Sequence, residues 1–203
     1  TLMPPSASIS GTTSVCINDS PRPQIIFTGS GGTRPYTFIY TRNNGANASI
    51  NTIGANNSIA LNVNTNVAGV FVYRLVSVTD ATGETTTENG NATITVGTPP
   101  AVNFGFDADE CSGTPVQFNS TVTGNGPFSY DWSFGDGTSS INQNPTHIYD
   151  ARGCGFSNFV TTLRVTDANG CEALSTKTVR VEERPDLIFV DLDAEFTPPF
   201  DNC

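Results

Sequence analysis

The chain has 203 residues, 36% of them hydrophobic and 14% charged, with a formal net charge of −10, room for one large domain or two of about 90 to 100 residues. Its acidic surface excludes nucleic-acid binding, which needs a basic face. No run of about 18 apolar residues is present, so no membrane insertion is expected, and no signal peptide or lipidation motif is found.

The chain opens on Thr1-Leu2 instead of Met and stops at Cys203 in mid-pattern, which reads as an internal piece of a longer secreted protein. Residues 1–5, ending in Pro4-Pro5, read as a linker. Short apolar stretches over 7–9, 24–28, 36–40, 49–50 and 59–63 predict strands, followed by the longer run 70–78 and a closing strand over 92–96. Gly29 to Gly32, Asn44-Gly45 and Asp80 to Gly83 supply turns between them. Nothing has helical period. Strands with turn signals every 8 to 12 residues or so predict a β-sandwich.

Pro99-Pro100 marks a boundary, because two prolines stiffen a link and cannot continue a central strand. The second half then repeats the first. Pro35, Phe38 and Tyr40 correspond to Pro127, Tyr130 and Trp132 at an offset of 92, and Val78-Thr79-Asp80 to Val165-Thr166-Asp167 at an offset of 87. Cys16, Cys111 and Cys203 follow at steps of 95 and 92. A period near 92 is one sandwich domain. The expected organisation is therefore all-β, with tandem immunoglobulin-like sandwiches over 1–98 and 99–183. Residues 184–203 are a linker and the first strand of a third repeat, with apolar segments at 187–190 and 194–196.

In the second repeat Tyr130, Trp132 and Phe134 alternate with polar residues, and Gly135-Asp136-Gly137 forms a tight turn. Pro145, His147 and Tyr149 follow, and then Leu163 to Asp167 leads into Asn169-Gly170, a hairpin turn. These ordered motifs, W-x-F-G-D-G, P-x-H-x-Y and L-x-V-T-D-x-x-G, resemble the PKD domain over residues 101 to 182. That resemblance implies an extracellular spacer or adhesion module, not a catalyst. The first repeat departs from the pattern at Tyr40 to Gly45. Its G-G-T-x-P-Y-T-F-x-Y and L-V-S-V-T-D stretches instead resemble repeats of the giant SprB-like gliding-motility adhesins that Bacteroidetes export by type IX secretion.

Trp132 and Phe134 suit either an exposed platform for sugar rings or the sandwich core, and strand aromatics in such folds favour the core, as for Tyr36 and Phe38. His147 is the single histidine. No Gly-x-Ser-x-Gly elbow or zinc-type spacing accompanies it, so the resemblance implies a packed loop residue. Asp107, Asp109 and Glu110, with Asp131, Asp136 and Asp167 near the motif turns, offer oxygen ligands of the kind calcium takes, although Asp136 and Asp167 also have turn-stabilising explanations. No other cofactor is expected. Five Asn-x-Ser/Thr sequons are what chance gives in an Asn/Thr-rich chain.

All five cysteines read as oxidised in an extracellular sandwich. Loops of a seven-strand sandwich alternate between its two ends. This places Cys111 and Cys154 at one end, favouring that pair, and leaves Cys16 and Cys171 for an interdomain disulfide, with Cys203 pairing onward. The competing scheme is Cys111–Cys171. The expected function is a non-enzymatic stalk segment of an extracellular, cell-surface adhesin, its partners being neighbouring repeats and surface glycans or other cell-surface components. Two alternatives stand beside it: an accessory module of a secreted hydrolase, and a carbohydrate-binding module.

Overall fold

The structure, a computed structural model, describes residues 3–107 and 110–184. Among them the regular structure is entirely β, and no helix is long and apolar enough to cross a membrane. The chain divides into two compact units. One holds the chain up to Thr98 together with Asn169–Cys171; the other runs from Pro99 to Ala168 and resumes at Glu172.

The first unit is a two-layer sandwich. One layer orders β1 (Ser6–Ser10), β3 (Gln24–Ser30) and β6 (Ser58–Asn62), all antiparallel. The other orders β2 (Thr13–Cys16), β9 (Asn91–Gly97), β7 (Gly69–Thr79), β4 (Thr37–Arg42) and β5 (Asn47–Asn51), with β8 (Thr85–Thr87) also on β7. The period-2 pattern of β3 buries Ile25 and Phe27, while β4 buries Phe38 and β9 buries Ala92, Ile94 and Val96. Sequence reading expected one opening strand, but the structure has two. The chain leaves β1, turns at Gly11 (φ 111°) and joins the opposite layer as β2, parallel to β9. A Cβ at Gly11 would collide with the Gln24 carbonyl oxygen, so glycine permits the crossing.

The second unit has the same plan. β10 (Ala101–Phe106), β12 (Pro115–Thr123) and β15 (Thr146–Ile148) form one layer. The other orders β11 (Glu110–Cys111), β17 (Glu172–Glu182), β16 (Phe156–Thr166), β13 (Ser129–Ser133) and β14 (Ser139–Ser140). Here too the opening segment splits, and β11 runs parallel to β17. The core is aromatic: Trp132 and Phe104 meet edge-on at 5.0 Å, and Phe118 lies 5.4 Å from both Trp132 and Phe134. The Trp132 indole N–H donates to the Asn142 carbonyl at 2.9 Å, which satisfies its only polar atom.

The segments expected to open a third repeat, 187–190 and 194–196, lie outside the described residues, as do Asp109 and Cys203.

Candidate functional site

The chemistry-bearing residues of the second unit gather at the end of β13. Gly135 (φ 86°) and Gly137 (φ 92°) bend the chain through conformations that side-chain-bearing residues rarely adopt. At Gly135 a Cβ would also lie 2.7 Å from the Val160 carbonyl oxygen, so close strand packing requires glycine. The turn aims Asp136 back at its own backbone. Its Oδ1 accepts from the Thr138 amide at 3.0 Å and from the Thr138 hydroxyl at 2.6 Å.

Asp136 Oδ2 meets His147 Nε2 at 2.7 Å. His147 arrives on β15, and its ring stacks on Phe134 at 4.1 Å and 6° while meeting Tyr149 edge-on at 4.5 Å. Burial works to raise the Asp136 pKa, but hydrogen bonds from the Thr138 hydroxyl, the Thr138 amide and His147 outweigh it and hold the carboxyl below its ordinary value. Tyr149 is buried, and desolvation pushes its phenol up to about 12. Its hydroxyl lies 2.9 Å from that of Thr161, within a small buried network that includes the Phe134 carbonyl.

Asp, His and Thr within hydrogen-bonding reach invite comparison with a catalytic triad. In a triad the carboxylate and the nucleophile occupy opposite ring nitrogens, so that one orients while the other exchanges a proton. Here Asp136 and Thr138 both face Nε2, and the Thr138 hydroxyl already contacts Asp136. The arrangement cross-links a turn to a strand.

A similar turn in the first unit centres on Asp80, which is buried. Its Oδ1 accepts from the Thr82 hydroxyl and the amides of Thr82 and Glu84, and its Oδ2 from the Thr33 amide at 2.8 Å. The Thr82 hydroxyl and then these amides depress its pKa. Sequence reading picked out the Asp80 turn but not its reach to Thr33, 47 residues earlier, which carries no local signal.

Of the carboxylates considered for calcium, Asp109 lies outside the described residues. Asp107 is exposed, Asp131 lies exposed on β13 opposite Arg164, and both oxygens of Asp136 are engaged as above. Among the described residues no three His, Cys, Asp or Glu side chains group as metal ligands. The aromatic side chains considered for a sugar platform are closed to one: Trp132, Phe134, Tyr36 and Phe38 are all buried.

Cys16 and Cys171 form a disulfide with a Cα–Cα separation of 5.5 Å, across 155 residues of sequence. Gly97 makes room for it, because a Cβ there would stand 3.1 Å from the Cys171 sulfur. The Cys111–Cys154 pairing is corrected. Cys111 is disulfide-bonded, but Cys154 carries a free, exposed thiol, and Cys171 is already bonded, which removes Cys111–Cys171 as well. The two cysteines do lie toward the same end of the sandwich. Sharing an end was insufficient, because β17 intervenes: Glu182 pairs with Cys111 on one side and with Phe156, two residues past Cys154, on the other. Two strand spacings are about 9.6 Å, beyond the usual disulfide span of about 6.8 Å.

Comparison with known proteins places these features. Residues 97–182 match the PKD domain family. The chain is 33% identical over 128 residues to collagenase ColA of Bacillus cereus, an alignment covering 62% of this chain and 12% of the collagenase. The chain thus spans about an eighth of that relative's length. Among solved structures, the PKD1 domain of Vibrio anguillarum Epp is 28% identical, covering 43% of this chain and 99% of that one, with a TM-score of 0.37. The PKD1 domain of the Vibrio cholerae metalloprotease PrtV is 28% identical, covering 41% and 98%, with a TM-score of 0.35. The fibronectin(III)-like modules of Clostridium thermocellum CbhA are 10% identical, covering 89% and 95%, with a TM-score of 0.47.

Proposed function

We propose that this chain is a non-catalytic stalk segment of a bacterial cell-surface adhesin, of the type IX-secreted, gliding-motility kind that the motifs of the first repeat resemble. The observation that carries the reading is the disulfide between Cys16 and Cys171. Tension applied through the two chain ends passes from residue 16 across the sulfur–sulfur bond to residue 171. The 155 residues of separation lie off that path, withholding on the order of 500 Å of contour that unfolding would otherwise release. A tether that must hold its length under load benefits from such a bypass. The polar groups of the PKD motif support the same reading, since Asp136, His147 and Thr138 are engaged in fastening one turn.

Single-molecule stretching of the chain from its ends tests this. The oxidised chain should extend by about 500 Å less than the reduced chain. Equal contour lengths under both conditions would remove the mechanical argument.

One observation favours a second reading, an accessory module of a secreted protease: the similarity to a collagenase runs over 128 residues. Co-sedimentation of the chain with collagen fibrils would support it, whereas recovery of all the protein in the supernatant would count against it. Further repeats in the flanking sequence would favour the stalk, and a neighbouring catalytic domain the protease.

A further inference from the structure

The sandwich of the first unit parts along one edge. The edge strand β5 pairs only with β4, and β6, at the edge of the other layer, pairs only with β3. Between them lies a cleft of about 460 Å³, within the range of small-ligand sites. Small residues keep it open. Tyr40 is paired across the ladder with Ala48, which does not cover its ring, and the register of β4 against β7 shifts between Ile39 and Tyr40.

The lining has a consistent polarity. The amide oxygen of Asn64 accepts from the Asn66 amide at 3.1 Å, leaving its NH₂ group available. Among the described residues the hydroxyls of Tyr40 and Tyr73 have no hydrogen-bond partner, and their rings lie 6.2 Å apart. Burial, with Tyr73 beside it, holds the Tyr40 phenol above its ordinary value, so it remains a donor at neutral pH. Arg42 sits 5.2 Å over the Phe71 ring and has no carboxylate partner among the described residues. The cleft therefore presents a guanidinium, an amide NH₂ group and two phenols beside apolar ring surface, and no carboxylate lines it. A guanidinium and hydroxyl and amide donors with no carboxylate beside them call for an oxygen-rich anion with a flat apolar face.

We propose that this cleft binds the uronic acid residue of an acidic glycan, with the sugar carboxylate on Arg42, its hydroxyl and ring oxygens on Asn64 and the phenols, and its C–H face against Tyr40. This goes beyond the stalk reading and does not depend on it, since a spacer needs no such cleft.

The test is NMR titration of the isotope-labelled 203-residue chain with digalacturonate, and with the neutral digalactoside as control. Digalacturonate should shift the amide signals around Tyr40, Ala48 and Asn62, and the digalactoside should bind about tenfold more weakly, the worth of one charge-assisted hydrogen-bond pair. Arg42→Gln should reduce digalacturonate affinity to the level of the neutral sugar. Ala48→Phe fills the cleft mouth on an exposed edge strand and should abolish the shifts while leaving the spectrum that of a folded chain. Absence of shifts with the unaltered chain, equal affinity for the two sugars, or undiminished binding by Ala48→Phe would each overturn the proposal.

Discussion

The two units solve the same architectural problem with different chemistry. Residues 1–98 carry four arginines against four carboxylates, so the whole net charge of −10 lies in residues 99–203. The strands that correspond, β4 and β13, both leave the sandwich through a sharp turn, but the turns are fastened differently. After β4 the chain passes through Asn43 (φ 51°) and Asn44 (φ 58°), and the Asn43 side chain clasps β7: its Oδ1 accepts from the Val72 amide at 2.7 Å and its Nδ2 donates to the Val70 carbonyl. After β13 a pair of glycines makes the bend and the ionisable Asp136–His147 couple holds it. A neutral amide clip is indifferent to pH; a carboxylate–imidazole couple is not. One sandwich plan thus tolerates either fastening, and the difference lies in what can loosen it.

The strongest way to separate the units is through their cores. Trp132→Ala removes the largest fully buried side chain of the second unit, from contact with Phe104, Phe118 and Phe134. Large-to-small core changes of this kind cost about 3 to 5 kcal/mol. The loss should fall on the second unit alone, and Phe38→Ala should do the same to the first, because each core cluster is made of residues from one unit. Hydrogen exchange read unit by unit checks this; loss of protection in both units from either substitution would show that they unfold as one.

The two glycines of the second unit's turn give a finer contrast. Gly135→Ala meets both an unfavourable φ and the Val160 backbone, whereas Gly137→Ala meets only the unfavourable φ, with nothing within 4 Å. The first should cost about 2 to 3 kcal/mol and the second about 1. Urea midpoints for the second unit would measure both, and equal losses would contradict the contact with Val160.

The sequence made some of this legible and hid the rest for identifiable reasons. Strands β3, β4, β7, β9, β13 and β16 carry large apolar residues in a buried row, and that pattern sufficed to read an all-β, sandwich-type chain. Strands β2, β8 and β14 are short and made mostly of Thr and Ser, so their pairing leaves no apolar signature. Gly11 redirects the chain to bring β2 beside β9, while β8 and β14 pair with β7 and β13. The G-D-G turn was legible as a turn, and the identity of its partner only through the P-x-H-x-Y motif, since Asp136 and His147 stand 11 residues apart. The Cys154 pairing was misread because an end of a sandwich is several strands wide, and loop alternation specifies the end but not the strand.

The smallest and most specific effect concerns the Asp136–His147 couple itself. His147→Gln keeps a side chain of similar reach but removes the imidazole stacked on Phe134, and should destabilise the second unit by about 1 kcal/mol at neutral pH. Asn43→Ala should cost the first unit a similar amount, since it removes two exposed hydrogen bonds. Acid then distinguishes them. Asp136 is held below its ordinary value in the folded chain, so its contribution is fully present above the unfolded value of about 3.9 and is lost as pH falls through the lower folded value. The stability gap between the unaltered chain and Asp136→Asn should therefore be open at pH 7 and narrow steadily below about pH 4, while the gap produced by Asn43→Ala stays constant. Protein-wide acid effects, including that of the depressed Asp80, act on the reference and the variant alike and cancel in each difference. Urea midpoints at pH 7 and pH 3 measure both gaps. An Asp136→Asn gap of unchanged size at pH 3 would mean that the charge of Asp136 contributes nothing and that its geometry alone fastens the turn.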